Sequence, residues 1–223
     1  MKTDPRDLPS YTVGEAAHVL NLSDSTVHWW SVGRDHYPSL IDPASSDGRP
    51  VLLSFYNLVE LHILAVIRRE HQVKMAKVRG AIDYLRNHLR IQNHPLIQQE
   101  MQTDGANLFI ERLGDLINIS QSGQRAMREV LAAALRRIER DPKGLPVKLY
   151  PFTRSGLKDA PSLIVIDVNL SGGRPVIAGT GLATEIIAER YKAGDSVSAL
   201  VRDYGRTAEE IEEAIRCELP AAA

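Results

Sequence analysis

The sequence predicts a mainly α fold with small β-hairpins, of the α+β class, and three observations carry that expectation. Two short amphipathic segments joined by a tight turn stand at the start, two longer segments of helical period follow, and a Gly-Gly hairpin signal leads into three short helices at the end.

At the start, Thr12 and Glu15 have the spacing of a capping box, and Val13, Ala16, Ala17 and Leu20 make one apolar stripe behind it. Asn21 ends this helix, Leu22 fills the turn, and Ser23 caps a second helix in which Val27 and Trp30 face inward. Ser25, Thr26, His28 and Trp29 are then left on the outer face. Such a pair has the form of a helix-turn-helix, whose second helix enters a major groove. Trp30 is expected in the core of this small unit and Trp29 at its surface. Residues 34–50 are rich in Asp, Ser, Gly and Pro, and the strand-like run RPVLLSF behind them completes a loop or wing. The expected DNA-contacting set is therefore Ser25, Thr26, His28 and Trp29 on the helix, with Arg34 and Arg49 placed for phosphate or wing contacts. Each could equally be ordinary surface.

From Asn57 the period becomes helical through Leu58, Leu61, Leu64 and Ala65, and after a break over 71–73 a second stripe follows in Val78, Ala81, Ile82, Leu85 and Leu89. The segment Arg68 to Arg90 holds seven basic residues against two acidic ones, a local +5 in a chain whose net charge is -1. Any attraction to phosphate must come from such a local concentration.

The first unit is expected to span 1–94. A middle unit over 103–152 reads as hairpin, helix and strand: NLFIERLGDLINI (107–119) turning at Gly114-Asp115, a helix capped by Ser122 and running to Asp141-Pro142, and the strand PVKLYPF. In that helix Met127, Val130, Leu131, Ala134 and Ile138 form the apolar face, leaving Arg125, Arg128, Arg136 and Arg140 largely outside it. After a polar linker, the last unit (161–223) opens with two apolar runs around Ser171-Gly172-Gly173 and continues as helices over 184–193, 197–204 and 207–218. The last helix carries Glu209, Glu210, Glu212, Glu213 and Glu218, an acidic face that repels phosphate and suits a protein contact.

Several chemistries lack their signatures. No Gly-Lys-Ser/Thr follows the glycine clusters, the seven histidines show no HExxH spacing, and the carboxylates offer no selectable catalytic pair. No catalytic residue, cofactor or metal site is expected, and Cys217 alone reads as a small buried side chain. The start MKTDPRDLPS has no apolar leader core and no run reaches bilayer length, so the expectation is a soluble cytoplasmic protein without membrane contact.

Two resemblances add to this reading. From YTVGEAA through the Trp pair to LSFYNLVELHILAVIRRE, the first third resembles the winged helix-turn-helix of MerR-type regulators; that family places an arginine before the aromatic residue of its second helix, where this chain has His28. The run IDVNLSGGRPVIAGTGLATEIIAERYKAGDSVSALVRDYGRTAEEIEEAI resembles a small bacterial domain of unknown function found in antitoxins, matching at Gly173 to Ile177, Gly194 to Ser196, Asp203-Tyr204 and Glu209 to Ile215, with Gly181 where an Arg is usual. Together the two ends look like a VapB-type antitoxin. The resemblance implies a PIN-domain ribonuclease toxin as partner, operator DNA as a second ligand, and operon autorepression without catalysis. It also makes Arg125, Arg128, Arg136, Arg140 and Arg174 candidates for neutralising a carboxylate cluster on the toxin, although a solvated face explains the helical ones as simply. A homodimer is expected because such modules usually read two half-sites, with the stripe from Val78 to Leu89 or the hairpin Leu163 to Ile177 as its surface. The rival expectation is a stand-alone MerR-like regulator whose remainder binds a ligand or mediates oligomerisation.

Overall fold

In the computed structural model, residues 4–34, 36–45, 50–71, 74–91, 93–117, 120–154 and 160–219 are described, except the side chains of Glu70 and His71. The chain folds as an α+β protein in which helices enclose two small antiparallel sheets.

Strand β1 (Tyr11–Thr12) leads directly into α1 (Val13–Val19), which is closed by the expected capping box: Thr12 Oγ1 accepts from the Glu15 amide at 3.2 Å, and Glu15 accepts from the Thr12 amide at 2.8 Å. Asn21 turns the chain with φ of 51°, and Ser23 caps α2 (Asp24–Val32) through the Thr26 amide. Strand β2 (Leu52–Leu53) pairs with β1 and brings the following chain back beside α1. Helix α3 (Phe55–His71) then runs through the interior, buried on every face from Phe55 to Ile67. It begins two residues before Asn57 because Ser54 and Asn57 cap it reciprocally; Asn57 Oδ1 also holds the Ala44 amide at 3.0 Å and so pins the preceding loop.

Helix α4 (Met75–Leu89) buries Val78, Ala81, Ile82 and Leu85, chiefly against α5 (Asp104–Ile117). This stripe, expected as a dimer surface, is consumed within the chain, and so are Ile164, Val165, Ile166, Val176 and Ile177 of the C-terminal hairpin. Neither offers a free apolar face for a second copy.

Where a hairpin over 107–119 is expected, the chain forms helix α5 as far as Ile117, and 118–119 lie outside the described residues. Phe109, Ile110 and Leu113 fall on one helical face and are buried, and the Gly114 that suggested a turn lies where another helix crosses: a Cβ there would stand 2.7 Å from the Gln124 side chain. The glycine is helical and leaves room for the Gln124 side chain rather than making a turn. Helix α6 (Gln121–Leu135) is capped by Ser120 rather than Ser122 and stops well before Asp141. Its expected last turn becomes strand β3 (Ile138–Arg140), because Ile138 is buried by pairing with β4 (Pro146–Leu149). Strands β5 (Ile164–Asp167) and β6 (Pro175–Ile177) form the expected hairpin, and β5 also pairs with β4, so the sheet order is β3-β4-β5-β6. Helices α7 (Thr184–Lys192), α8 (Val197–Tyr204) and α9 (Ala208–Glu218) lie within a residue of the expected bounds; α9 is closed by a Thr207–Glu210 capping box.

One apolar core runs from Tyr11 to Ile166, without a break between α4 and α5, and a second, Ile164 to Cys217, lies between the β5–β6 hairpin and the last three helices. No described helix is long and apolar enough to cross a membrane.

Candidate nucleic-acid interface

The outer face of α2 is assembled as its sequence implies. Val27 and Trp30 are buried, whereas Ser25, His28 and Trp29 are exposed and Thr26 is half-buried. Arg34 follows directly, its guanidinium 4.5 Å from the Trp29 ring centroid in a cation–π contact. These five residues thus lie together along α2 and its exit. Arg49 lies outside the described residues.

Folding brings the basic segment to the same end of the molecule. Arg68, on the last turns of α3, sits over the Trp30 ring at 5.8 Å; Arg79 of α4 donates to the Pro38 carbonyl, and Arg86 pairs with Asp42 at 2.9 Å. Lys74, Lys77 and Arg90 are exposed on or beside α4. The sequence located the charge but gave no sign that α3 and α4 would carry it to the loop that leaves α2. Tyr37 was overlooked altogether: at 61% it is the most exposed large apolar side chain among the described residues.

The arginines considered for a carboxylate partner do not converge. Arg125 and Arg136 are exposed at opposite ends of α6, Arg128 reaches α5 through Asn107 (3.1 Å) and Glu111 (3.5 Å), and Arg174 stands on the hairpin between Glu185 (3.3 Å) and Glu15 (4.0 Å). Arg140 belongs to β3, not to the helix. It turns inward, donating to the carbonyls of Ile97 and Gly144, and burial lowers its proton affinity.

The two-helix unit is docked on the C-terminal helices through a mostly polar seam. Tyr11 Oη donates to the Gly173 carbonyl at 2.8 Å from a buried position, with burial holding its phenol protonated far above the ordinary range, and His18 meets Glu218 at 3.3 Å. A groove of about 900 Å³ runs beside the seam between the α1–α2 turn and α9, lined among others by Leu22, Phe152, Arg154, Ile215 and Cys217. Burial pushes the Cys217 thiol up to about 12, which keeps it protonated. Behind three lining residues, Glu213 is completely buried: burial by itself would raise its proton affinity, but Arg154 (2.6 Å), Thr153 and Arg216 (2.5 Å) hold the carboxyl below the usual range. The start of the expected linker is therefore fastened to α9, while 155–159 lie outside the described residues.

Two further buried polar groups steady α3. His94 bridges Glu60 and Asp7, with both ring nitrogens at 3.0 Å from a carboxylate oxygen. His62 stacks on Phe152 at 5.2 Å and lies 3.3 Å from the Ala134 carbonyl; burial drops it to about 3, so it is neutral. Both hold structure, and among the described residues no group of three or more His, Cys, Asp or Glu could hold a metal ion.

The arrangement is that of a two-helix surface module with a basic flank, seated on a hairpin and three helices. The family model described as "Protein of unknown function (DUF433)" matches residues 164–216, the hairpin and those helices. The chain is 27% identical to the protein named "Putative antitoxin VapB45" of Mycobacterium tuberculosis (strain ATCC 25618 / H37Rv), over 94% of this chain and 93% of that protein. Its fold is similar to the crystal structure of Rv2018 from Mycobacterium tuberculosis, with TM-score 0.70 and 22% identity over 96% of this chain and 100% of that one.

Proposed function

We propose that this chain is the antitoxin of a toxin–antitoxin pair, that its partner is a PIN-domain ribonuclease toxin, and that it represses its own operon from the DNA face of α2. The observation that carries the reading is the near end-to-end likeness to the protein named as an antitoxin, which takes in both the two-helix unit and the C-terminal helices. The DNA part rests on the exposed Ser25, His28, Trp29 and Arg34 with the half-buried Thr26, beside the basic α3–α4 surface. A MerR-like winged helix-turn-helix over 1–94, a middle unit over 103–152 and a toxin-facing unit over 161–223 complete the proposal. The protein acts in the cytoplasm without a catalytic role.

Of the arginines, Arg125, Arg136 and Arg174 are exposed enough to enter a toxin's carboxylate cluster, where a guanidinium forms a bidentate pair. Arg140 already serves the chain's own carbonyls and is withdrawn from that role. A homodimer matches operators of two half-sites, and its surface lies outside the two stripes that the fold buries.

The deciding experiment is co-expression. The protein encoded next to this chain should arrest growth alone, be relieved by wild type and co-purify with it; Arg174→Glu should lose relief while keeping its melting temperature. Growth arrest without relief, and no co-purifying partner, refutes the antitoxin reading. The groove beside the α1–α9 seam favours a second reading, a stand-alone MerR-like regulator holding a small molecule there. That reading gains if relief fails but DNA binding remains.

A further inference from the structure

Helix α2 is poorly equipped to read paired bases. Its sequence, DSTVHWWSV, holds no Arg, Lys, Asn or Gln, the side chains that make the usual bidentate contacts to purine edges. The hydroxyls near its N-terminus are tied to one another, Ser23 Oγ lying 3.1 Å from Ser25 Oγ and 2.9 Å from Thr26 Oγ1. What the helix and its exit present instead is apolar and aromatic: Trp29 (43% exposed), Val32 (46%) and Tyr37 (61%).

The backbone that carries these side chains is held in place. Gly33 turns the chain with φ of 89°, and a Cβ there would stand 2.6 Å from the Tyr37 carbonyl oxygen, so this close return requires glycine. Arg34 and Tyr37 exchange backbone hydrogen bonds of 2.9 and 2.8 Å, and the Arg34 guanidinium lies against the Trp29 ring. The Leu40 and Ile41 amides both bond the Trp30 carbonyl, and Arg79 holds the Pro38 carbonyl. Beside this surface stand Arg68, over the Trp30 ring, and Arg79, on the Pro38 carbonyl, with Lys74 and Lys77 exposed at the start of the same helix as Arg79. A second copy of the chain would set like charges against one another here, whereas a phosphodiester backbone complements them.

We propose that Trp29 and Tyr37 form a stacking platform for unpaired bases of a DNA strand, whose phosphates are met by the α3–α4 cations. This deepens the DNA-binding reading above and rests on it. Stacking on an aromatic face is tolerant of sequence, since every base has a π-face, whereas a paired duplex hides those faces.

The test uses the full chain and three probes: a 15-nucleotide oligothymidine strand, the same strand in a fully paired duplex, and that duplex with a two-base unpaired bubble. Trp30 is only 4% exposed, so fluorescence quenching reports Trp29. The single strand and the bubble are expected to bind about tenfold tighter than the paired duplex and to quench. Trp29→Ala and Tyr37→Ala should remove that preference with melting unchanged, and Trp29→Phe should restore most of it. A paired duplex that binds as tightly as the bubble, without quenching, overturns the platform and leaves duplex reading intact. No binding of any probe at low salt overturns both.

Discussion

His94 gives the chain an alkaline limit to its stability. Its imidazole lies between Glu60, whose side chain is 2% exposed, and Asp7 at the N-terminal segment, 3.0 Å from each, so the ring ties α3 to both the start of the chain and the loop after α4. Burial by itself would lower its proton affinity, but the hydrogen bonds and charges of Glu60 and Asp7 outweigh it and carry the group from 6.5 up to about 9. The folded state therefore keeps a proton that the unfolded chain releases near pH 6.5. The contribution is complete below 6.5 and is lost as pH rises through 9; at about 1.4 kcal/mol for each tenfold change in proton affinity, up to about 3 kcal/mol is at stake. Urea unfolding of wild type and His94→Gln at intervals from pH 6 to 9.5 measures it. Between pH 7.5 and 8.5 wild type should lose stability while the variant starts lower and stays nearly flat; below that range His62, and above it Cys217, add slopes common to both proteins. Parallel curves would refute the coupling.

The opposite slope is expected below pH 6.5, where the unfolded chain gains a proton that His62, held near 3, refuses; wild-type stability should fall with acid, and His62→Phe should flatten that limb. Tyr11→Phe removes the hydrogen bond to Gly173 across the seam and should cost about 1 kcal/mol by urea unfolding, and Gly173→Ala should cost more, because φ is 79° and a Cβ would collide with the Tyr11 hydroxyl. Glu213→Ala removes the buried carboxylate that Thr153, Arg154 and Arg216 share and should lower the urea midpoint, with the two arginines, about 40% exposed, turning to solvent. Operator binding, measured by gel shift, should weaken steeply from 50 to 200 mM salt and weaken further in Lys77→Gln; a salt-independent affinity would contradict phosphate contact by the basic segment.

Helix caps and short-range periodicity were legible because their causes are local. Thr12 with Glu15, and Ser23 with Thr26, satisfy amides within one turn, so four residues suffice to read them. The candidate DNA set was legible for the same reason: once Val27 and Trp30 face inward, helical geometry sends Ser25, His28 and Trp29 outward. The same local logic failed at Gly114-Asp115. A glycine inside a helix at a crossing is indistinguishable in sequence from one in a turn, and only the packing of Gln124 of α6 against it tells them apart. It failed again at Arg140, because the residues after Leu135 leave the helical stripe for a strand whose partner, Leu149, lies eleven residues beyond Ile138.

The sequence by itself determined the α+β class, the capped helix pair at the start, and the hairpin with three helices at the end. Each depends on contacts within a few residues. Only the tertiary structure decided that β5 joins β4 to make one four-stranded sheet, that α4 spends its apolar stripe on α5, and that the charge of Arg68 and Arg79 arrives beside α2. Those outcomes turn on which buried faces meet, a choice among long-range pairings that a periodic stripe of Leu, Ile and Val does not encode, because apolar surface gains about the same from whichever partner excludes water from it.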